Sequence, residues 1–209
     1  MSTMTPTSQT SPAGVAVVCV ECQNGVLGPD SVLPALAADT GGLVENLRRL
    51  LDAARASGLL VVHATYEGTL GGAHTGTARL WRALGPATSG WAPDKAETQV
   101  IPQLLADNDL VLPRHHGLFP TMGSELLPML RSFGVHTVVL TGVSLNLALP
   151  ITAGHMTQAG FHLVVPRDAV GGTPADYGKQ VLDNTIALLG RITEVDDLIA
   201  EWTGESATL

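Results

Sequence analysis

Residues 136–165 of this 209-residue chain, HTVVLTGVSLNLALPITAGHMTQAGFHLVV, decide its predicted fold class. The apolar run at 136–141 predicts a buried strand, and residues 145–159 predict a helix that follows a short turn. A second apolar run at 161–165 predicts another strand. Strands that are joined by a helix in this way are parallel and connected by a right-handed crossover, so the stretch predicts a parallel sheet covered by helices.

The same alternation continues on both sides of this unit. Further strands are predicted at 15–21, 59–64, 109–113 and around Thr193, and further helices from Leu43 to before Gly58 and at about 124–133, 174–189 and 196–202. We therefore expect residues 14–209 to form a single three-layer α/β/α domain with a Rossmann-like parallel sheet of about six strands. Residues 1–13, rich in Ser, Thr and Pro, are expected to be a disordered tail.

The composition narrows the choice of partners. Hydrophobic residues make up 45% of the chain and aromatic residues only 4%, so the core must rest on Val, Leu, Ile and Ala. The formal net charge is −8, with 11 Lys and Arg against 19 Asp and Glu, which disfavours nucleic acid and anionic membranes. No signal peptide and no apolar run of about 18 residues is present. A cytoplasmic protein with a small-molecule substrate is therefore expected.

Ligands of parallel α/β sheets bind beyond the carboxyl ends of the strands, so the residues at these ends are the first candidates for a site. Glu21 ends the first predicted strand, and Arg114 ends a strand that can lie near it. A carboxylate held by an arginine suits a general acid or base, and it equally suits a structural ion pair. The residues alone leave both interpretations open.

Two weaker features lie at the same predicted edge. The turn at 142–146 precedes a helix and can present N–H groups to an anion or a carbonyl oxygen, or it can be an ordinary connection. His115 and His116 are adjacent, and adjacent side chains seldom face one metal ion, so we predict one imidazole in the pocket and no metal site. His63, inside a strand, is expected to be a hydrogen-bonded core histidine.

The two cysteines, Cys19 and Cys22, have the C-x-x-C spacing of redox motifs. We place both in the first strand, where side chains three positions apart point to opposite faces of the sheet. The sequence therefore predicts two separate buried thiols that neither pair with each other nor share a metal ion.

Two stretches of the chain resemble a known family. VAVVCVECQNGVLGP at 15–29 resembles the opening strand of the isochorismatase-like hydrolase superfamily, which includes nicotinamidases and other cysteine hydrolases. Residues 111–172, from VLPRHHGLF to PRDAVGG, resemble the central stretch of that family. The resemblance covers roughly residues 14–195, and it implies an isochorismatase-like fold.

The resemblance also implies where catalytic groups would lie. The aspartate, lysine and cysteine of the family triad fall on Glu21, Arg114 and Ala148, so all three positions depart from the family pattern. Phe119, Asn146 and the turn with a cis peptide near Val143–Ser144 match the pattern. Alanine offers no nucleophile, and a guanidinium that stays protonated cannot shuttle a proton as lysine does. The metal motif of the family is absent between Thr65 and Pro113, so neither a metal nor another cofactor is predicted.

One hypothesis is a cysteine-independent hydrolase, for which the isochorismatases within the resembled family offer a precedent. Glu21 would be the acid or base, Arg114 would orient it or bind an anionic group, and the turn at 144–146 would hold a substrate oxygen. The substrate would be a small polar or anionic metabolite, with specificity set by the insertion at 65–98. The expected substrate-binding residues are Gln23, Tyr66, Trp81, His115, Phe119, Val143, Ser144 and Asn146.

The alternative is a catalytically inactive relative that serves as a metabolite-binding or assembly subunit. The pair formed by Glu21 and Arg114 would then be structural. In either case the resemblance implies a homo-oligomer, a dimer or a tetramer, and the sequence offers the apolar helix positions Leu126, Leu127 and Leu130 as exposed contacts for it.

Overall fold

The computed structural model of the chain describes residues 13–204. Residues 205–209 and the predicted tail at 1–13, apart from Ala13, lie outside the described residues. None of the helices within 13–204 combines the length and the apolar character that crossing a bilayer requires.

Seven parallel strands form one sheet in the described part of the chain, which confirms the predicted α/β class. The strands are β1 (Val15–Val20), β2 (Leu60–Tyr66), β3 (Leu110–Arg114), β4 (Thr137–Val143), β5 (His162–Pro166), β6 (Val170–Gly171) and β7 (Arg191–Thr193). Their order is β3-β2-β1-β4-β5-β7, and the short β6 pairs with β4. The central strand β1 is thus flanked by β2 and β4, which brings the residues that follow these strands together.

Helices connect the strands and cover the sheet. The α-helices of the described residues are α1 (Asn24–Leu27), α2 (Pro34–Asp39), α3 (Leu43–Ala56), α4 (Trp81–Ala87), α5 (Leu126–Ser132), α6 (Ala148–Gln158), α7 (Ala175–Asn184) and α8 (Val195–Thr203). Short 3-10 turns span Ala96–Thr98, Pro102–Leu104, Arg167–Ala169 and Ile186–Leu188. The sequence did not predict α1 and α2, which are short and follow β1 within a Gly- and Pro-containing segment.

Alternation along β1 divides the core into two apolar layers. Val17 packs with residues of α3 and α8 on one face, and Val18 packs with residues of α5 and α6 on the other. Because both faces of the central strands are covered, these strands are continuous apolar runs with no polar face. The arrangement confirms the predicted order of helix layer, sheet and helix layer.

The apolar positions of α5 belong to this core. Leu126 and Leu130 are fully buried, and Leu127 is half-buried against the same layer. The expectation that they are exposed contacts of an oligomer is therefore wrong, because their helix packs them onto the sheet. A homo-oligomer stays a prediction without support from these residues.

The end of β4 differs from the prediction. The strand continues past Thr141 to Val143, and Gly142 has a φ angle of +95°. A Cβ atom at Gly142 would lie 2.2 Å from the carbonyl oxygen of Val20. Glycine at this position therefore lets β4 stay close to β1 up to the edge of the sheet where ligands are expected.

Two helices are shorter than predicted. The helix expected at 145–159 begins only at Ala148, because the preceding residues form the turn at the carboxyl end of β4. The helix expected at 174–189 ends at Asn184 and is followed by the separate 3-10 turn Ile186–Leu188.

Candidate active site

A cavity opens at the carboxyl edge of the sheet, beyond the strands β1, β2, β3 and β4. Glu21 follows β1, Tyr66 and Arg114 end β2 and β3, and Ser144 follows β4. The cavity encloses about 940 Å³, including the part that is open to solvent. Its lining consists of Glu21, Val26, Val32, Leu33, Leu36, Tyr66, Leu80, Trp81, Leu84, Thr88, Trp91, Arg114, Leu118, Ser144, Asn146, Leu147, Ala148 and Thr173.

Glu21 occupies a backbone conformation that is rare for residues with a Cβ atom. Its φ angle is +54°, and its N–H donates to the carbonyl oxygen of Ala64 at 3.0 Å. A left-handed conformation of this kind costs about 1–3 kcal/mol and occurs most often at functional sites. The Glu21 side chain is 18% exposed, and one of its oxygens, Oε1, forms an ion pair with Nη2 of Arg114. Within residues 13–204, its other oxygen accepts no hydrogen bond.

Arg114 is held on several sides. Its side chain is 3% exposed, and its guanidinium carbon lies 5.3 Å from the ring centroid of Tyr66. Besides Glu21, its acceptors are the carbonyl oxygens of Gly117 (3.3 Å), Leu118 (3.4 Å) and Thr65 (3.5 Å). A buried arginine is stable only when such partners take its donors, and these contacts fix its orientation and that of Glu21.

The turn between β4 and α6 lines the cavity through Ser144 and Ala148. The peptide bond between Val143 and Ser144 is cis, as the resemblance implies, and α6 begins at Ala148. The N–H groups of Ser144 and Ala148 have no backbone acceptor in the described residues, whereas Leu149 N–H donates to Ser144 O at 3.0 Å. Free N–H groups at the start of a helix suit an anionic or carbonyl oxygen.

Asn146 stabilises this turn through a second loop. Its Nδ2 donates to Thr173 O at 2.5 Å, and its Oδ1 accepts from Thr173 N–H at 2.9 Å. The Thr173 hydroxyl in turn donates to Asp39 Oδ2 at 2.6 Å, at the end of α2. Asn146 lines the cavity, but both ends of its amide are used inside the protein.

Aromatic side chains build the part of the cavity that comes from the insertion at 65–98. The ring centroid of Tyr66 lies 5.5 Å from that of Trp81 and 6.0 Å from that of Trp91. Burial raises the pKa of Tyr66 against the opposing effect of Arg114, so its hydroxyl stays protonated at neutral pH. The insertion therefore forms a packed wall with an aromatic cluster.

Gln23 and Val143 do not line the cavity, contrary to expectation. Gln23 is fully buried, and its Nε2 donates to Tyr66 O at 2.9 Å and to Thr98 O at 2.6 Å. Its Oε1 accepts from Tyr66 N–H at 2.8 Å, so the whole amide ties α1 to β2 and the insertion. Val143 is fully buried as the last residue of β4.

His115 and Phe119 also lie outside the cavity lining, which corrects their expected place in the pocket. The ring Nδ1 of His115 lies 3.1 Å from Gly68 O, because the chain turns away after β3. Phe119 packs edge-on against His155 of α6, with ring centroids 6.5 Å apart. Arg114 is therefore the last residue of that strand whose side chain reaches the cavity.

The two cysteines contradict the prediction that they point to opposite faces. β1 ends at Val20, and the left-handed turn at Glu21 brings Cys22 to the face that already holds Cys19. Cys22 Sγ donates to Val20 O at 3.6 Å, and Cys19 Sγ accepts from the Thr141 hydroxyl at 3.3 Å. The interaction of the two neighbouring thiols lowers the pKa of Cys19 and raises that of Cys22. Both are free thiols, both are fully buried, and neither lines the cavity.

A second group of polar side chains lies near the start of β3, where α3 meets the sheet. Asp109 accepts from Arg55, at 2.7 and 3.1 Å, and from His63 Nε2 at 3.0 Å. His63 is buried as expected, but within residues 13–204 its Nδ1 has no hydrogen-bond partner. Across the described residues, no three His, Cys, Asp or Glu side chains form a group that could hold a metal ion.

Sequence reasoning missed much of the apolar lining. Val32, Leu33 and Leu36 come from the segment around α2, directly after the first strand, and Leu84 and Trp91 come from the insertion. The one feature of the sequence that could have indicated them is position, because both segments follow the carboxyl ends of the central strands β1 and β2. The structure was needed to show that they line the same cavity.

Comparisons with known proteins agree with this architecture. The family model described as the isochorismatase domain matches residues 15–197. The uncharacterized isochorismatase family protein YecD of Escherichia coli O157:H7 is 27% identical over 177 residues, which cover 67% of this chain and 93% of YecD. Ureidoacrylate amidohydrolase RutB of Pseudomonas savastanoi pv. phaseolicola is 28% identical over an aligned length of 217 residues, covering 89% of this chain and 82% of RutB.

A solved structure shows the same fold over nearly the whole chain. The cysteine hydrolase from Pseudomonas syringae pv. phaseolicola 1448A superposes with a TM-score of 0.79. The match covers 99% of this chain and 100% of that protein at 20% identity. At this identity the likeness shows a shared fold alone.

Proposed function

The chain belongs to the isochorismatase family, and from this premise we propose that it is a hydrolase that works through Glu21 and without a cysteine nucleophile. The observation that carries the proposal is the ion pair of Glu21 and Arg114 inside the cavity, with one carboxylate oxygen left without a partner. The amidohydrolase activity in the name of the relative RutB favours an amide-type bond as the one that is cleaved.

The absence of a suitable thiol supports the cysteine-independent part of the proposal. Ala148 stands at the first turn of α6, where the family resemblance expects the cysteine. Cys19 and Cys22 are buried and are not among the residues that line the cavity. A thioester intermediate would require a thiol in contact with the substrate carbonyl, so water is the nucleophile in the proposed reaction.

The proposed reaction uses three groups of this chain. The Glu21 carboxylate takes a proton from water as the water oxygen bonds to the carbonyl carbon, and the N–H groups of Ser144 and Ala148 hold the resulting oxyanion. Glu21 then gives the proton to the leaving nitrogen as the carbon–nitrogen bond breaks. The products are a carboxylic acid and an amine, and Glu21 is again a carboxylate. Arg114 is a positioning residue that fixes the carboxylate orientation.

Glu21→Gln tests the proposal because glutamine keeps the shape of the side chain but cannot carry the proton. Wild type and variant are incubated with isochorismate, nicotinamide and simple amides, and consumption is followed by mass spectrometry. We expect the rate on any substrate to fall about 10²–10⁴-fold in the variant. Glu67→Gln is the matched control, because Glu67 follows β2 but lies outside the cavity lining. Equal turnover by wild type and Glu21→Gln contradicts the proposal.

A non-catalytic role is the second candidate, and one observation favours it. Arg114 donates to three backbone carbonyls as well as to Glu21, as expected of an ion pair that is part of the fold. In that case the folded wild type consumes no compound, and calorimetry detects ligand binding or sedimentation detects assembly. That outcome assigns a metabolite-binding or assembly role to the protein.

A further inference from the structure

The two cysteines form a pair of thiols that the proposed hydrolysis does not use. In a continuous strand, side chains three positions apart would point to opposite faces of the sheet. The left-handed backbone of Glu21 instead brings Cys22 to the face that holds Cys19, and both thiols are free and buried. The C-x-x-C spacing therefore places two thiols together on one face of the sheet.

Contacts with β4 and with the end of β1 locate the two sulfur atoms. Cys19 Sγ accepts from the Thr141 hydroxyl at 3.3 Å, and Cys22 Sγ donates to Val20 O at 3.6 Å. A Cβ atom on Gly142 would lie 3.0 Å from Cys22 Sγ. The sulfur atoms thus lie against consecutive residues of β4, which makes the two thiols neighbours inside the protein.

A proton acceptor lies beside Cys19 on the adjacent strand β2. His63 is the register partner of Cys19, and paired residues of parallel strands point to the same face of the sheet. His63 Nε2 lies 3.0 Å from Asp109 Oδ2, whereas within residues 13–204 the buried Nδ1 has no hydrogen-bond partner. A buried nitrogen without a partner is unfavourable, and a neighbouring thiol is a group that can donate to it.

The two thiols differ in acidity. The neighbouring Cys22 thiol lowers the pKa of Cys19 against the effect of burial, and the nearby His63 imidazole and Thr141 hydroxyl lower it further. The Cys19 thiol, together with burial, raises the pKa of Cys22. Because the thiolate is the nucleophilic form of cysteine, Cys19 is suited to attack an oxidant and Cys22 to complete a disulfide.

We propose that Cys19 and Cys22 are a redox-active dithiol that a hydroperoxide converts to an intramolecular disulfide. Neither thiol lines the cavity, so this site is separate from the proposed active site and does not depend on hydrolysis. Glu21, which precedes Cys22, does line the cavity, and a small peroxide can approach the dithiol from there. The disulfide closes a short loop that contains Glu21.

The proposed oxidation has two steps. His63 takes the proton of Cys19, and the thiolate sulfur attacks one oxygen of the peroxide as the oxygen–oxygen bond breaks, which gives a sulfenic acid. With hydrogen peroxide, the departing hydroxide takes the proton from His63 and leaves as water. The Cys22 sulfur then bonds to the Cys19 sulfur as the sulfur–oxygen bond breaks, and the Cys22 proton leaves with that oxygen as a second water. The thiols lose two electrons, and the peroxide gains them.

Intact-mass spectrometry of the full chain tests the inference. The reduced, folded protein is treated with hydrogen peroxide, catalase ends the reaction, and iodoacetamide in urea labels the remaining thiols. We expect both cysteines to be labelled in the untreated chain and neither in the oxidised chain, which has lost two hydrogen atoms. Circular dichroism verifies that the treated protein stays folded. A chain that keeps both thiols, carries two added oxygen atoms on one cysteine sulfur, or forms a disulfide-linked dimer overturns the inference.

Single cysteine variants identify the attacking thiol. Dimedone traps sulfenic acids, and Cys22→Ser should accumulate a dimedone adduct on Cys19, because the serine cannot form the disulfide. Cys19→Ser is the matched control and should give at least about tenfold less adduct in the same time, since the remaining thiol is the weaker acid. Equal labelling of the two variants overturns the assignment of Cys19 as the attacking thiol.

A histidine variant tests the proton transfer. Glutamine at position 63 can still donate to Asp109 but has no basic nitrogen, so His63→Gln should form the disulfide at least about tenfold more slowly than wild type. His162→Gln, a change of an exposed histidine at the start of β5, is the control and should oxidise at the wild-type rate. Both variants are compared by the same mass measurement after circular dichroism has verified their fold. If His63→Gln oxidises as fast as wild type, His63 does not take the proton and that part of the inference fails.

Discussion

Two arginine–carboxylate pairs lie at opposite ends of the same sheet. They differ in the number of hydrogen bonds that the carboxylate accepts. Asp109, before β3, accepts hydrogen bonds from Arg55, His63 and Ala106 N–H, and its side chain is 2% exposed. Glu21, after β1, accepts from Arg114 alone within the described residues and is 18% exposed. The first pair joins α3 to the turn before β3, and the second joins the residue after β1 to the end of β3 in the candidate site.

In Asp109 both carboxylate oxygens accept hydrogen bonds, whereas in Glu21 one oxygen has no donor among the described residues. Burial acts to raise the pKa of Asp109, but the hydrogen bonds from His63, Arg55 and Ala106 outweigh it and lower the pKa from its ordinary 3.8 to about 2. Asp109 has no free oxygen for a ligand. Glu21 keeps one oxygen free and sits on a strained backbone, as functional residues often do.

The largest effect on stability should come from the fully bonded pair. Asp109→Ala leaves Arg55 and His63 without their shared acceptor, and we expect the free energy of unfolding to fall by about 3–5 kcal/mol. Urea denaturation followed by circular dichroism measures it. Asp107→Ala, an exposed change in the same loop, is the control and should be near neutral. If Asp109→Ala lowers the free energy of unfolding as little as the control does, the Asp109 pair does not stabilise the fold.

Acid should lower the free energy of unfolding through the same pair, by a smaller amount than Asp109→Ala does. Because the folded pKa of Asp109 is below the unfolded value, its stabilisation is fully present above about pH 4 and is lost as the pH falls through about 2. The loss should be about 2 kcal/mol, and Asp109→Asn should lack it. Unfolding free energies of both proteins between pH 5 and pH 2 should therefore converge. Parallel curves would contradict the assignment.

Mutation of the pair at the cavity should affect turnover strongly and stability little. Glu21→Gln, which should slow turnover about 10²–10⁴-fold, is expected to change the free energy of unfolding by only about 1 kcal/mol or less, because Arg114 keeps its carbonyl acceptors. Urea denaturation of the variant used for the activity assay gives this value. A loss as large as that of Asp109→Ala would make both pairs structural and favour the non-catalytic role.

The smallest effect should come from the thiols. Cys22→Ala and Cys19→Ala should change turnover by less than about twofold, since neither side chain lines the cavity and the proposed reaction needs no thiol. Initial rates at equal concentrations of folded protein measure this, with Glu21→Gln as the negative control. A loss of turnover comparable to that of Glu21→Gln would show that a cysteine takes part in the reaction.

The positions of Glu21 and Arg114 were predictable from the sequence because each lies at the carboxyl end of a predicted parallel strand. Their neighbours were less predictable. Gln23 and His115 come shortly after the same strands, but the chain changes direction after Glu21 and Arg114. The side chains of Gln23 and His115 therefore form hydrogen bonds with backbone carbonyl oxygens and do not reach the cavity. A predicted strand assumes that side chains alternate between the two faces of the sheet. The left-handed backbone of Glu21 ends this alternation and brings Cys22 to the face of Cys19.

The sequence by itself determined the order along the chain of the longer strands and helices, and the residues at the carboxyl ends of those strands, because apolar periodicity and turn residues act locally along the chain. Only the tertiary structure decided which of these residues share a cavity and what else lines it. Leu36 and Trp91 are far apart in sequence and meet at the cavity through packing on a common core layer. Contacts of that kind depend on chain direction and side-chain packing in three dimensions, which local patterns do not encode.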